Sequence, residues 1–181
     1  MNTNTTKDSI APKEKKWLAL YTKINHEKKV RDRLTDLNIE CFLPIQIVTR
    51  QWSDRIKKVE KVLISMMIFV HVDALEQRRV LEVPSVMRYM MLRGDHQPTE
   101  IPNRQMDNFR FMVDHSDSTV SFNTCDLQPG EKVRVIKGSL QGLTGEMVTI
   151  DGKSNIVIRI DMLGCATIEM AASMVERIID N

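Results

Sequence analysis

Hydrophobic and polar positions in the first half of the chain switch between the period of a strand and the period of a helix. The run Trp17–Tyr21 is apolar throughout, which is typical of a buried strand. The segment His26–Leu37 then carries an apolar stripe at helical spacing, and we expect Asn25 to be its N-cap. The members of that stripe are Val30, Leu34 and Leu37. A strand followed by an amphipathic helix predicts the start of an α/β unit.

An extended segment, a charged segment and a second apolar run follow this unit. Residues 39–48 return to an extended pattern, in which Pro44 favours an edge or a bend. Residues 49–61 are charged and weakly patterned, as in a mobile hairpin or loop. The run Val62–Val72 is β-branched and apolar at successive positions, so we expect a central strand that is covered on both faces.

Two further helices and a strand complete the first half. A short helix with an Asp cap is expected over Asp73–Leu81, and a strand over Val86–Leu92. The dipeptide Ile101-Pro102 opens the last helix, because proline is favoured in a first helical turn. The apolar face of this helix is formed by Met106, Phe109 and Val113. The order βαββαβα therefore predicts an α+β domain whose mixed or antiparallel sheet is flanked by helices.

The second half has the pattern of a small all-β barrel. Its expected strands are Glu131–Ile136, Glu146–Ile150, Ile156–Ile160 and Ala166–Glu169. Gly138, Gly142 and Gly145 are expected to supply the positive φ that tight turns need. The segment before the barrel is rich in Ser and Thr, as linkers are. We therefore divide the chain into a flexible tail over 1–15, a first domain over 16–113, a linker over 114–126 and a second domain over 127–181.

Composition and charge agree with two small globular domains. The chain has 181 residues, of which 42% are hydrophobic and 28% are charged, and this composition excludes wholesale disorder. Residues 1–61 hold 14 Lys and Arg against 8 Asp and Glu, whereas residues 125–181 hold 6 against 8. This asymmetry favours different partners for the two halves.

The cysteines and the absence of catalytic motifs argue against an enzyme. Cys41, Cys125 and Cys165 are widely spaced and offer neither a disulfide framework nor a CxxC metal site. No HExxH, P-loop, GxGxxG or GxSxG motif is present. The longest apolar run is too short to span a bilayer, and the N-terminus lacks the apolar region of a signal peptide. We expect a cytoplasmic protein without catalytic residues, metal, cofactor or membrane partner.

Three separated stretches resemble one protein family, in the order in which that family carries them. GEKVRVIKGSLQGLTGEM at 130–147 resembles the KOW motif. Its matching residues are Arg134, Ile136, Lys137 and Gly138. VPSVMRYMMLRG at 83–94 and MLGCATIEMAASMVERI at 162–178 are similar to parts of the N-terminal domain and the barrel of NusG-family proteins. The resemblance implies an NGN domain over 16–113, followed by an SH3-like KOW barrel.

This resemblance implies a transcription elongation factor that binds RNA polymerase and suppresses pausing. Departures from common family members favour a specialised paralogue of the RfaH or UpxY type, which acts as a processive antiterminator on a long operon such as a capsular polysaccharide cluster. A housekeeping NusG and a ribosome-associated or RNA-binding KOW protein are the alternatives. In RfaH the barrel can refold into a helical hairpin, but the β-branched residues and turn glycines of 131–160 favour a permanent barrel here.

The resemblance also implies polymerase contacts on the first domain. The apolar patch that would meet the clamp helices of the polymerase consists of Ile64, Met67 and Phe69. By strand alternation, Met66, Ile68 and Val70 would point to the core instead. A second contact, to the opposite pincer of the polymerase, is implied at Arg78 and Arg79. The alternatives are a buried core for the patch and a solvated helix face for the two arginines.

Two further surfaces are implied for other partners. The residues that match a nucleic-acid contact, to the displaced non-template DNA strand or to nascent RNA, are Lys23, His26, Lys29 and Arg33. The residues that match the apolar loop tips of the barrel, which meet a ribosomal protein or the Rho terminator in the family, are Leu140, Leu143, Met162 and Leu163. A solvated helix face and burial within the barrel are the respective alternatives.

Overall fold

The computed structural model describes residues 14–51, 55–123 and 127–179. The N-terminal unit consists of β1 (Lys16–Thr22), α1 (Glu27–Asp36), β2 (Glu40–Phe42), β3 (Ile45–Gln51), β4 (Ile56–Val62), β5 (Met67–Val72), α2 (Ala74–Leu81), β6 (Val86–Tyr89), β7 (Glu100–Ile101) and α3 (Asn103–His115). The barrel consists of β8 (Ser121–Asn123), β9 (Glu131–Val135), β10 (Thr144–Ile150), β11 (Lys153–Ile160), β12 (Gly164–Glu169), a 3₁₀ turn (Ala172–Met174) and β13 (Val175–Arg177). None of the helices in these ranges is long and apolar enough to cross a membrane.

The N-terminal unit is built on an antiparallel sheet with helices on both faces. Its strands lie in the order β2–β5–β1–β6, and β7 also pairs with β1. The two inner strands, β1 and β5, pair from Lys16↔Val72 to Tyr21↔Met67. Helices α1 and α2 pack on one face of the sheet, and α3 packs on the other. The predicted α+β class is confirmed. The sequence left open a mixed or an antiparallel sheet, and the sheet is antiparallel.

Side chains of β5 alternate between two cores, as the sequence pattern predicts. Ile68, Val70 and Val72 pack with the apolar residues of α1 and α2. Met67 and Phe69 point the other way and join the core on the α3 side. The strand is therefore covered on both faces, which explains why polar residues are nearly absent from it.

Turns interrupt both of the long extended segments that the sequence predicts. In 39–48, Pro44 lies between β2 and β3, where a bend is expected. The strand expected over 62–72 begins only at Met67, because Met66 adopts a left-handed φ of +61° that ends the extended run before it. The expectation that Met66 fills the core is wrong, since its side chain is 36% exposed.

The starts of the first two helices differ: the Asp73 side chain caps α2, whereas the N-cap residue of α1 makes no side-chain cap hydrogen bond. Asp73 accepts hydrogen bonds from the N–H groups of Leu75 and Glu76 at 2.8 and 2.9 Å, and the Glu76 carboxylate accepts the Asp73 N–H at 3.1 Å. This capping box confirms the Asp cap of α2. The cap predicted for α1 is wrong by one residue, because Asn25 takes a left-handed φ of +58° in the turn and His26 becomes the N-cap.

The barrel sheet is antiparallel, in the order β13–β9–β10–β11–β12–β8. Its four middle strands overlap the predicted ones, and β8 and β13 are additional. Gly138 and Gly142 have the predicted positive φ, at +84° and +93°. For Gly145 that prediction is wrong, because this residue lies within β10 without a positive φ. A Cβ at Gly145 would lie 2.7 Å from the carbonyl oxygen of Val157, so glycine is needed there for space.

The segment between the two units is tied to both of them. Strand β8 lies inside the expected linker and pairs with β12. Nearer to α3, Nε2 of Gln46 on β3 donates to the Ser118 carbonyl at 2.8 Å and to Ser116 Oγ at 3.3 Å. Oε1 of the same side chain accepts the Val120 N–H at 3.0 Å. One buried amide on β3 therefore orders the chain between α3 and β8.

Helix α3 lies between the sheet and the barrel. Phe109 contacts Phe69 on one side and Phe122 on the other, each with ring centroids 5.9 Å apart. Two hydrogen bonds join α3 to the barrel, from Asn108 Nδ2 to Thr144 Oγ1 at 3.2 Å and from the Asp161 N–H to Gln105 Oε1 at 2.9 Å. The cores of the two units are consequently continuous through this helix.

Candidate binding surfaces

The residues expected to meet the polymerase clamp lie at different depths. Met67 is 5% exposed and Phe69 is fully buried, whereas Ile64 is partly buried at the edge of the same core. Phe69 is enclosed by Phe42, with ring centroids 6.3 Å apart, and by Phe109. Ile64 is therefore the most accessible of the three, and Met67 and Phe69 belong to the core against which it packs. Their role in polymerase binding stays a prediction.

An aromatic cluster surrounds this patch, and the local sequence pattern does not reveal it. Four of the five phenylalanines of the chain meet there. They are Phe42, Phe69, Phe109 and Phe122, and they come from four different elements. No periodicity within one segment signals their meeting, because only the tertiary structure brings the four elements together. Of these, Phe42 and Phe122 are partly buried, so they lie at the rim of the patch.

A charged group borders the cluster at the β2 edge of the sheet. The Arg110 guanidinium lies 5.2 Å from the centroid of the Trp17 ring. The His71 ring also stacks on Trp17, with the two ring centroids 4.9 Å apart. Glu40 lies between these two side chains, with its carboxylate oxygens 2.8 Å from His71 Nδ1 and 3.3 Å from Arg110 Nη1. These contacts keep Trp17 nearly buried and give the patch a polar border.

The two arginines of the expected second polymerase contact point to different grooves. Both lie in the last turn of α2 rather than at its start. The helix dipole favours cations in this last turn. Arg78 borders an apolar groove between α2 and β6, beside Leu81 and Met87. Arg79 borders the groove between α1 and α2, where its Nη2 lies 3.4 Å from the Leu37 carbonyl. The structure therefore does not bring them into one patch.

The four residues of the expected nucleic-acid contact line one ridge, where α1 meets the loop before β6. His26 Nδ1 lies 2.7 Å from Ser85 Oγ, and Arg33 Nη1 donates to the Pro84 carbonyl at 2.7 Å. The backbone of Lys23 is held by the Ser85 carbonyl at 2.9 Å. The ammonium groups of Lys23 and Lys29 remain exposed. Such a ridge has the charge to neutralise phosphates, with the His26 side chain held by Ser85 Oγ and the Arg33 side chain held by the Pro84 carbonyl.

The expected partner surface of the barrel is split by burial. Leu140 and Leu143 are 3% and 2% exposed and fill the barrel core. Met162 is 62% exposed at the turn between β11 and β12, and Leu163 beside it is partly buried against the common core. The N–H of Asp161 in the same turn is bonded to α3, so this turn borders the contact between the two units. Of the four residues, only Met162 is freely presented.

The comparison with protein families assigns the N-terminal unit. A family model described as "Transcription termination factor nusG" matches residues 15–110. A solved structure described as "Domain interaction in Thermotoga maritima NusG" covers 91% of this chain and 98% of its own, at 21% identity and a TM-score of 0.47. A second one, described as the MjSpt4:Spt5 complex in conformation A, covers 91% and 99%, at 10% identity and a TM-score of 0.30. No curated protein sequence matches the chain.

Structural similarity of this size does not by itself identify a function. The family match, by contrast, spans more than half of the chain and includes every element from β1 to most of α3. It also includes the residues of the expected clamp contact and of the ridge on α1. The chain therefore belongs to the NusG family of transcription factors.

Proposed function

We propose that this protein is a transcription elongation factor that binds RNA polymerase and acts as a processive antiterminator on a specific long operon, such as a capsular polysaccharide cluster. The observation that carries the proposal is the NusG-family match over 15–110, which contains the apolar surface around Ile64 and the basic ridge of α1. We expect the protein to act in the cytoplasm, where the polymerase is.

The polymerase contact would be centred on Ile64 and supported by Met67 and Phe69. Ile64 is the member of the three whose side chain is partly exposed. Methionine at position 67, where the family commonly has an aromatic residue, keeps an adaptable apolar surface. The protein has no need of covalent chemistry in this role. It acts by binding the closed clamp more tightly than the opened, paused state, and thereby shifts the polymerase away from the pause.

The ridge on α1 would meet the displaced non-template strand or nascent RNA. Lys29 and Arg33 lie on the same face as His26, at helical spacing. The ordered side chains of His26 and Arg33 favour a defined geometry over general charge attraction. A specialised operon factor needs such a contact, because recruitment to one operon depends on reading a nucleic-acid element.

A purified transcription system tests this function. We expect the wild-type chain to reduce pausing and to increase terminator readthrough on the leader of its own operon. The variant Ile64→Glu should lower polymerase affinity about tenfold or more, because a carboxylate would be desolvated at the contact. Ile179→Glu is the matched control, since Ile179 is 84% exposed on the barrel side of the chain.

The outcomes separate this function from its alternatives. Unchanged pausing and readthrough with the wild-type chain would refute it. Equal effects on all operons would identify a general elongation factor instead. Charged substitutions at Phe69 are unsuitable here, because this ring is fully buried and its replacement would unfold the N-terminal unit.

A further inference from the structure

Three turns with a strained backbone lie together at one end of the N-terminal sheet. Asn25, Met66 and Ser85 have left-handed φ angles of +58°, +61° and +79°. The Lys23 N–H donates to the Ser85 carbonyl at 2.9 Å, and the Thr22 N–H donates to the Met66 carbonyl at 2.9 Å. The three turns therefore adjoin where β1 ends. A residue with a Cβ is strained in this conformation, and strained residues cluster at functional sites.

The turn at Met66 is part of the connection that carries the expected polymerase contact. Residues 63–66 connect β4 to β5 and include Ile64. The connection is fixed at its start, where the Leu63 N–H donates to the Pro44 carbonyl at 2.9 Å. It is fixed at its end through Met66, whose carbonyl is bonded to β1. Ile64 thus lies between two fixed points, and the conformation of Met66 sets the course of the chain around it.

A buried carboxylate holds Met66 in its left-handed conformation. Glu27 is the first residue of α1 and is 6% exposed. Its Oε1 accepts the Met66 N–H at 2.7 Å. The N-terminus of a helix favours a negative charge at this position but does not require its burial. Burial of a carboxylate costs free energy unless its oxygens are hydrogen-bonded, and the Met66 N–H supplies such a bond.

We propose that Glu27 is a positioning residue for polymerase binding. By holding the left-handed Met66, its carboxylate keeps Ile64 in the conformation that the polymerase meets. This role rests on the proposed function, and it assigns a part in binding to a nearly buried residue that does not itself form the surface. The same hydrogen bond joins the start of α1, which carries the basic ridge, to the turn beside Ile64. The two proposed surfaces are thereby held in one fixed arrangement.

Four variants separate the acceptor from the charge and from the backbone strain. Glu27→Leu removes the acceptor, whereas Glu27→Gln removes the charge and keeps an amide oxygen that can accept the Met66 N–H. Glu27→Leu combined with Met66→Gly relieves the strain, because glycine adopts a positive φ without steric cost. The matched control combines Glu27→Leu with Met66→Ala. Alanine also removes the Met66 side chain beyond Cβ, but it keeps the Cβ that causes the strain.

The first measurement uses NMR spectroscopy of the full chain without polymerase. We expect Glu27→Leu to speed hydrogen exchange of the Met66 amide about tenfold or more, because this N–H has lost its acceptor. The methyl resonances of Ile64 should shift in the same variant. Glu27→Gln should keep the wild-type exchange and resonances, and Met66→Gly should restore the Ile64 resonances in the Glu27→Leu background. Unchanged exchange and resonances in Glu27→Leu would overturn the proposal.

The second measurement is the affinity of each chain for purified core RNA polymerase. We expect Glu27→Leu to lose about tenfold, and Glu27→Gln and the combination with Met66→Gly to stay within about twofold of the wild type. The combination with Met66→Ala should bind as weakly as Glu27→Leu alone. A merely structural role of Glu27 in the helix or the core predicts no such recovery, because glycine at position 66 supports neither.

The remaining outcomes distinguish this role from the proposed function. Glu27→Gln binding as weakly as Glu27→Leu would overturn the role, because the charge and not the acceptor would then matter. A Glu27→Leu chain that does not fold, and that Met66→Gly does not restore, would overturn it too. Equal binding by the wild type and Glu27→Leu would overturn the role and leave the proposed function standing. A wild-type chain that does not bind polymerase would refute the proposed function and this role with it.

Discussion

Tyr89 is a buried residue of β6 whose ionisation is linked to folding. Its hydroxyl donates to the Gln77 carbonyl at 3.1 Å, and the ring is 5% exposed. Burial raises the pKa of this phenol well above its usual range, because the phenolate would lose its hydration. Gln77 lies on α2, so this contact also joins the helix to the edge of the sheet.

The pH dependence of stability follows from that pKa. Above the ordinary pKa of tyrosine, the unfolded chain loses the proton that folded Tyr89 keeps, so the free energy of unfolding should fall as pH rises. The slope reaches about 1.4 kcal/mol per pH unit. Tyr89→Phe should remove this contribution, as measured by urea unfolding at successive alkaline pH values. An identical pH dependence in Tyr89→Phe and in the control Tyr21→Phe would contradict the linkage.

Individual residues also show which site predictions depend on local pattern. His26, Lys29 and Arg33 lie on one ridge because helical spacing alone places them there. Leu140 and Leu143 have the same apolar character as Met162, yet they fill the core. Residue type does not distinguish a buried leucine from a presented one, since both are favoured by the same hydrophobic pattern.

At the scale of the elements, the side chain of Gln46 joins strand β3 to the segment before β8. Gln46 is 9% exposed and makes three hydrogen bonds to the chain between α3 and β8. One of them satisfies the N–H of Val120, a residue that is itself fully buried. A buried donor without a partner costs about 1 to 3 kcal/mol. Gln46 therefore determines where the chain leaves the N-terminal unit.

Gln46→Ala should lower the free energy of unfolding by about 2 kcal/mol, because the Val120 N–H loses its acceptor. The backbone amide of Val120 should exchange with solvent hydrogen much faster than in the wild type. Gln51→Ala on the same strand, where the side chain is exposed, is the control. Unchanged exchange at Val120 in Gln46→Ala would show that Gln46 does not hold this segment.

The course of the elements was largely predictable, and two of the errors in where an element begins occurred at residues with a left-handed φ. The helix cap at Asp73 and the apolar face of α3 follow from local rules. The cap of α1 and the start of β5 differ from expectation because Asn25 and Met66 adopt a positive φ. Methionine rarely takes this conformation, so no residue preference signals the turn at Met66.

In the whole molecule, α3 connects the sheet and the barrel into one continuous core. Apolar contacts through Phe109 and Phe122 form the centre of this connection. The hydrogen bonds of Gln105 and Asn108 lie beside it and join the helix to β10 and to the turn after β11. Polar bonds of this kind set the orientation of two packed surfaces more than their affinity.

The double variant Gln105→Ala, Asn108→Ala should loosen the barrel from α3 while both units stay folded. We expect ¹⁵N relaxation to give the barrel a shorter rotational correlation time than in the wild type, with an unchanged circular dichroism spectrum. Asp107→Ala, an exposed neighbour on the same helix, is the control. The same correlation time in both variants would mean that the apolar contacts alone hold the two units together.

The sequence by itself determined the α+β class, the family resemblance and the alternation of β5, because each of these depends on residues that are close together in the chain. Only the tertiary structure decided that Ile64 is partly buried while Phe69 is fully buried, and that Arg78 and Arg79 face different grooves. It also decided the meeting of four phenylalanines around α3. Exposure and contact at these positions depend on elements far away in the chain, whose packing no local periodicity encodes.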